Sequence, residues 1–75
     1  MSLQEEKVEE ILLKHFPHAY CEESEFNDNI IFVDCYFDKS CIEYISFPFT
    51  MENFYRSNPY DIVNSIWEYI AKYML

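Results

Sequence analysis

The sequence contains no glycine, only five lysine and arginine residues, and only three cysteines among its 75 residues. Without glycine, the phosphate-binding loops of P-loop and dinucleotide-binding proteins are excluded, because their backbone conformations require that residue. The scarcity of basic residues argues against direct binding to nucleic acid or to an anionic membrane surface. No apolar run approaches the roughly 20 residues of a membrane-spanning helix.

The three cysteines, Cys21, Cys35 and Cys41, are too few and odd in number for a disulfide scaffold. His15, His18 and Cys21 have an H-x2-H-x2-C spacing, and these residue types can bind zinc. The cysteines fall in different predicted strands, however, whereas structural zinc sites pair their ligands around tight turns. We therefore expect free thiols and no bound metal or other cofactor.

What the sequence has in abundance is acid and aromatic character. Asp and Glu total 14, the net charge is -9, and aromatic residues make up 20% of the chain. Disordered acidic tails lack such aromatic content, so we expect one folded domain, residues 1–75, with a negative surface that attracts basic proteins. The first residues lack the basic and apolar regions of a signal peptide, and we expect a cytoplasmic protein.

Helices are predicted at both ends of the chain. Ser2 and Glu5 form a capping-box pattern, and Pro17 ends the segment. Asn58 and Pro59 are typical of the start of a second helix. The apolar stripes of the two helices are Val8, Ile11, Leu12, His15 and Phe16, and then Ile62, Val63, Ile66, Trp67, Ile70, Tyr73 and Met74.

Three strands are predicted between these helices. Residues 30–37 and 41–47 are rich in β-branched and aromatic residues, and residues 27–29 and 38–40 supply turns. Pro48 is predicted to end the third strand. The resulting class is α+β, an α-β-β-β-α order with a three-stranded antiparallel meander and two helices packed on one face.

The second face of this sheet is left open, and the pairing of the strands decides what it carries. A two-residue turn at Asp38-Lys39 places Asp34 opposite Glu43, and a turn at Asp28-Asn29 places Glu23 opposite Asp34. Opposed like charges cost a few tenths to about 1 kcal/mol, which suggests a functional use. A shift of one residue would exchange the two faces. The predicted partner-binding residues are Glu23, Glu25, Phe32, Asp34, Tyr36, Glu43, Ile45 and Phe47.

No set of residues forms a convincing catalytic group, and we expect no enzymatic activity. Two functions remain open. The first is an acidic inhibitor or regulator that binds a basic, nucleic-acid-binding protein surface through the aromatic and acidic sheet face. The alternative is a homodimeric scaffold or interaction domain that buries the same face against a second copy. Salt should weaken the first complex and leave the second nearly unchanged.

The α-β-β-β-α order is similar to that of the double-stranded-RNA-binding domain. That family requires a basic start to its last helix, whereas this chain has Asn58, Pro59, Tyr60 and Asp61 there. The resemblance therefore implies the topology and not RNA binding. In charge and size the chain resembles small phage or mobile-element inhibitors that mimic nucleic acid, and acidic immunity-type proteins. Residue types with AT-rich codons total 34 against 6 with GC-rich codons, which fits a phage or mobile element of an AT-rich bacterium.

Overall fold

The computed structural model describes residues 2–74 of the chain. Its strands form one antiparallel sheet in the order β1-β2-β3, so the predicted α+β class and meander are confirmed. A short helix that follows β3 directly precedes the predicted C-terminal helix. The elements are α1 (Leu3–Leu12), β1 (His18–Glu23), β2 (Ile30–Tyr36), β3 (Tyr44–Thr50), α2 (Met51–Arg56) and α3 (Pro59–Tyr73).

The predicted helix caps are present at both long helices. The Ser2 hydroxyl accepts from the Glu5 backbone N–H at 3.2 Å, and the Glu5 carboxylate accepts from the Ser2 N–H at 3.3 Å. Asn58 accepts from the Tyr60 N–H at 2.9 Å, with Pro59 as the first helical residue. These contacts satisfy backbone donors that have no partner within the helix.

The hydrophobic core lies on one side of the sheet, between the sheet and the helices. Along β2, alternate residues point into it, as expected for a strand with one covered face. The prediction that both long helices pack on the same face is therefore confirmed. The buried apolar residues are Val8, Leu12, Phe16, Ala19, Ile31, Val33, Cys35, Phe47, Phe54, Ile62, Val63, Ile66 and Ile70.

Both outer edges of the sheet are protected against further pairing. The Glu9 carboxylate of α1 accepts from the Cys21 backbone N–H of β1 at 2.7 Å. At the other edge Pro48 lies inside β3, not after it, so the prediction that it ends the strand is wrong. Proline is tolerated on an edge strand because its missing donor faces outward. The uncovered surface of the sheet is therefore a face and not an edge.

The register of the sheet differs from the predicted one. Asp34 lies opposite Ser46 on β3, not opposite Glu43, and opposite Tyr20 on β1, not opposite Glu23. The opposed carboxylates inferred from the sequence are therefore not formed.

Both connections are longer than the two-residue turns that were expected: residues 24–29 join β1 to β2, and residues 37–43 join β2 to β3. The Asp38 carboxylate accepts from the backbone N–H groups of Ile42, at 2.9 Å, and Glu43, at 3.2 Å. These hydrogen bonds, with that from Ile42 first, lower the pKa of Asp38. Cys41 has a φ of 60°, a left-handed conformation in which glycine is usual. The Asp38 carboxylate thus stabilises a longer loop, in which Cys41 adopts a backbone conformation that glycine usually provides.

Candidate partner-binding face

The side of the sheet opposite the helices has no covering layer, and we call it the open face. Its side chains come from the strand positions that alternate with the core residues Ile31, Val33 and Cys35 and from their partners on β1 and β3. They are His18, Tyr20, Glu22, Phe32, Asp34, Tyr36, Tyr44, Ser46 and Pro48.

Two adjoining hollows occupy this face. The central hollow has a volume of about 240 Å³ and is lined by Glu22, Phe32, Asp34, Tyr36, Tyr44 and Ser46. The rim hollow, of about 200 Å³, is lined by Glu22, Glu23, Ser24, Glu25, Phe26 and Phe32. Because Glu22 and Phe32 line both, the two hollows form one surface of carboxylates and aromatic rings.

A row of tyrosines crosses all three strands beside the central hollow. The rings of Tyr36 and Tyr44 stack with centroids 4.9 Å apart, and Tyr20 meets Tyr36 edge to face at 5.7 Å. Tyr20 and Tyr44 are each about half exposed. Partial burial, and then the charge of Asp34, raise the pKa of the Tyr36 hydroxyl, which therefore stays protonated at neutral pH. The row offers ring faces and hydroxyl donors to a partner.

The floor of the central hollow holds a pair of carboxyl groups. Asp34 is only 4% exposed and accepts a short hydrogen bond from the Ser46 hydroxyl. A hydrogen bond to Asp34, and then the negative charge of Asp34, raise the pKa of the Glu22 carboxyl. The two carboxyl groups therefore interact, and the neighbouring Asp34 favours the protonated form of Glu22.

No basic side chain within residues 2–74 lines either hollow. Lys7 and Lys14 line a separate hollow of about 320 Å³ between α1 and the start of α3. Arg56 pairs with Glu52 at 2.8 Å, which is the one salt bridge in the described part of the chain. Asp34 is thus a buried acid without a cationic partner there.

The structure brings together five of the eight residues predicted for partner binding. Phe32, Asp34 and Tyr36 lie in the central hollow, and Glu25 in the rim hollow. Glu23 also borders the rim hollow, but it lies opposite the core residue Ile31, so its side chain points to the helix side of the sheet. Their role in binding stays a prediction.

The other three predicted residues lie elsewhere. Glu43 is in the loop before β3, and its backbone oxygen accepts from the Phe37 N–H at 2.9 Å. Ile45 and Phe47 point to the helix side of the sheet, because the register places them opposite Cys35 and Val33. There they line an apolar groove of about 450 Å³ together with Phe49, Ser65 and Tyr69 of β3 and α3.

Six residues of the open face were not predicted from the sequence: His18, Tyr20, Glu22, Tyr44, Ser46 and Pro48. A signal for those on β3 was present in the alternation of that strand, in which Ile45, Phe47 and Phe49 are separated by Ser46 and Pro48. That alternation assigns the apolar set to the core and Tyr44 and Ser46 to the opposite face.

The thiols of Cys21 and Cys35 lie outside the open face and are not activated. Cys21, Cys35 and Cys41 are free, and only Cys41 is exposed. Burial, and then the Asp34 charge, raise the pKa of Cys35 to about 12, and burial also raises the pKa of Cys21. Both are therefore protonated at neutral pH and poor nucleophiles.

Two further properties of the described residues concern metal binding and membrane spanning. No three His, Cys, Asp or Glu side chains within residues 2–74 are grouped so that they could hold a metal ion. None of the helices in that range has the length and apolar character needed to cross a membrane. Comparisons with protein-family models, with curated proteins and with solved structures find no match for this chain.

Proposed function

We propose that this protein is a non-enzymatic acidic inhibitor or regulator that covers a basic, nucleic-acid-binding surface of another protein. The observation that carries the proposal is the carboxyl pair of Glu22 and Asp34 in an uncovered, tyrosine-lined hollow without a cation. Burying an acid beside another acid is unfavourable unless a partner compensates it. A basic partner surface would provide that compensation.

The charge of the face favours a basic partner over a second copy of the chain. In a symmetric dimer the same patch lies on both sides of the interface. Two open faces would bring two carboxyl pairs together, and each chain carries a net charge of -9. Such an interface would add repulsion where the proposed complex gains attraction.

The chemistry of the face supports mimicry of nucleic acid. Proteins that bind single strands use basic grooves for the phosphates and aromatic or arginine side chains for the bases. The open face presents the Glu22 carboxylate, with Glu25 at its rim, next to the stacked rings of Tyr36 and Tyr44. It therefore offers negative charge and flat rings together, in keeping with a phage or mobile-element inhibitor that acts in the cytoplasm.

The test is displacement of nucleic acid from a captured partner. The immobilised protein is exposed to a lysate of the source cell, bound proteins are identified by mass spectrometry, and each candidate is purified. We expect a basic nucleic-acid-binding protein whose complex weakens steeply as salt rises and whose nucleic acid is displaced competitively. The proposal is contradicted if the purified candidates keep their nucleic acid in the presence of excess protein, or if the chain sediments as a salt-insensitive dimer that binds none of them.

A further inference from the structure

The central hollow has the components of a site for a flat cation. Its floor carries the Asp34 carboxylate, held in one orientation by the Ser46 hydroxyl, and the Glu22 carboxyl lies beside it. Its lining includes the stacked rings of Tyr36 and Tyr44. Carboxylates attract a cation by charge, and aromatic faces attract it through the ring quadrupole.

Arginine and lysine side chains are not equivalent in such a site. An arginine guanidinium is planar, stacks on aromatic rings and can donate two parallel hydrogen bonds to carboxylate oxygens. A lysine ammonium is a compact, strongly hydrated charge that gains less from the flat walls. The pairing of oriented carboxyl oxygens with tyrosine rings therefore favours arginine.

We infer that the central hollow is a socket for one arginine side chain of the partner, an inference that rests on the proposed function and identifies its anchor. The guanidinium would lie beside the stacked pair of Tyr36 and Tyr44, against one of the two rings, and donate to the Asp34 and Glu22 carboxylates. Glu25, in the rim hollow, would face neighbouring basic groups of the partner.

A bound arginine would compete with protonation of Glu22, whose pKa the neighbouring Asp34 raises. Because the guanidinium requires ionised Glu22, affinity rises as the pH rises through the pKa of Glu22. The other titratable groups around Glu22 are Asp34, Tyr36, Tyr44 and Glu25, with Tyr20 and His18 on its own strand. The carboxylates of Asp34 and Glu25 among them raise the pKa of Glu22.

The test uses two blocked tripeptides, one with a central arginine and one with a central lysine, each between alanines. They are titrated into isotopically labelled full-length protein while backbone amide signals are followed by NMR. We expect saturable shifts centred on Glu22, Asp34 and Tyr44, with binding of the arginine peptide at least about threefold tighter. Binding of the arginine peptide should also tighten with rising pH.

A charge-matched pair of variants distinguishes binding in the socket from general electrostatic attraction to the acidic chain. Glu22→Gln should remove the arginine preference and the pH dependence, whereas Glu68→Gln, on exposed α3, should keep both. Equal binding of the two peptides at the open face overturns the socket but leaves the proposed function standing. Shifts centred on the acidic start of α1, or no shifts with either peptide, also overturn the socket. The proposed function is then decided separately by displacement of nucleic acid.

Discussion

Ser46 donates a hydrogen bond from its hydroxyl to the Asp34 carboxylate, directly across the β2–β3 pair. Asp34 is 4% exposed, so this neutral donor orients a nearly buried acid on the uncovered side of the sheet. A hydroxyl satisfies an oxygen of the carboxylate without cancelling its charge. The fold therefore keeps the negative charge available to a partner while meeting part of the cost of burying it.

The first prediction concerns this contact. Ser46→Ala should lower the free energy of unfolding by about 1–3 kcal/mol, because a nearly buried carboxylate loses its donor. Urea unfolding measures the change. The control is Ser65→Ala, since the Ser65 hydroxyl donates only to a carbonyl of its own exposed helix turn. It should change stability by no more than about 0.5 kcal/mol. Equal losses in the two variants would show that the Asp34 contact is unimportant.

A second prediction follows from the carboxyl pair. The hydrogen bond to Asp34, and then its charge, raise the pKa of Glu22 above its value in the unfolded chain. The protonated form thus favours folding, and this contribution is complete below the unfolded pKa and lost as pH rises through the folded pKa. The stability of the native chain relative to Glu22→Gln should therefore decline as the pH rises above the ordinary pKa of a glutamate and through the raised pKa of Glu22.

Urea unfolding at a series of pH values provides the measurement. Subtracting the curve of Glu22→Gln removes the pH dependence of the other acids that both proteins share. Glu68→Gln is the control and should show no such decline. A difference curve that is flat, or that rises with pH, would mean that Asp34 does not raise the pKa of Glu22.

The third prediction concerns the β2–β3 loop. Cys41 adopts a φ of 60°, where a side chain with a Cβ atom is strained by roughly 1–2 kcal/mol. Cys41→Gly should relieve this strain. Because glycine also raises the conformational entropy of the unfolded chain, which offsets part of the gain, the free energy of unfolding should rise by up to about 1 kcal/mol. Thermal or urea unfolding measures this change. The control is Cys41→Ala, which keeps the Cβ atom and should not gain stability. A loss of stability in the glycine variant would contradict the strained conformation.

The elements and their order could be predicted from local chemistry. Ser2 with Glu5, and Asn58 with Pro59, are short-range signals that act within one helical turn, and both caps form as expected. The apolar stripes predicted the buried helix faces in part. Val8, Leu12, Phe16, Ile62, Val63, Ile66 and Ile70 are buried, whereas His15, Trp67, Tyr73 and Met74 are exposed. Such signals do not depend on how distant segments pair.

The strand register could not be obtained in the same way, because it was inferred from turn length. The sequence Asp38-Lys39 suggested a tight turn, but the Asp38 carboxylate binds the backbone of Ile42 and Glu43 and closes a longer loop. Ile45 and Phe47 were assigned to the wrong face as a result. Matching the apolar alternation of β3 to that of β2 would have corrected this, since the burial of one face fixes register more strongly than a turn does.

The central claim is that the open face binds a basic partner, and a pair of charge-reversed variants tests it most directly. Glu22→Lys and Glu68→Lys change the net charge equally, and both sites are exposed, so both variants should fold. Their affinities for the captured partner are measured by calorimetry at one salt concentration. We predict that Glu22→Lys weakens binding at least about tenfold and Glu68→Lys by less than about threefold. Equal losses, or a larger loss for Glu68→Lys, would contradict recognition through the open face.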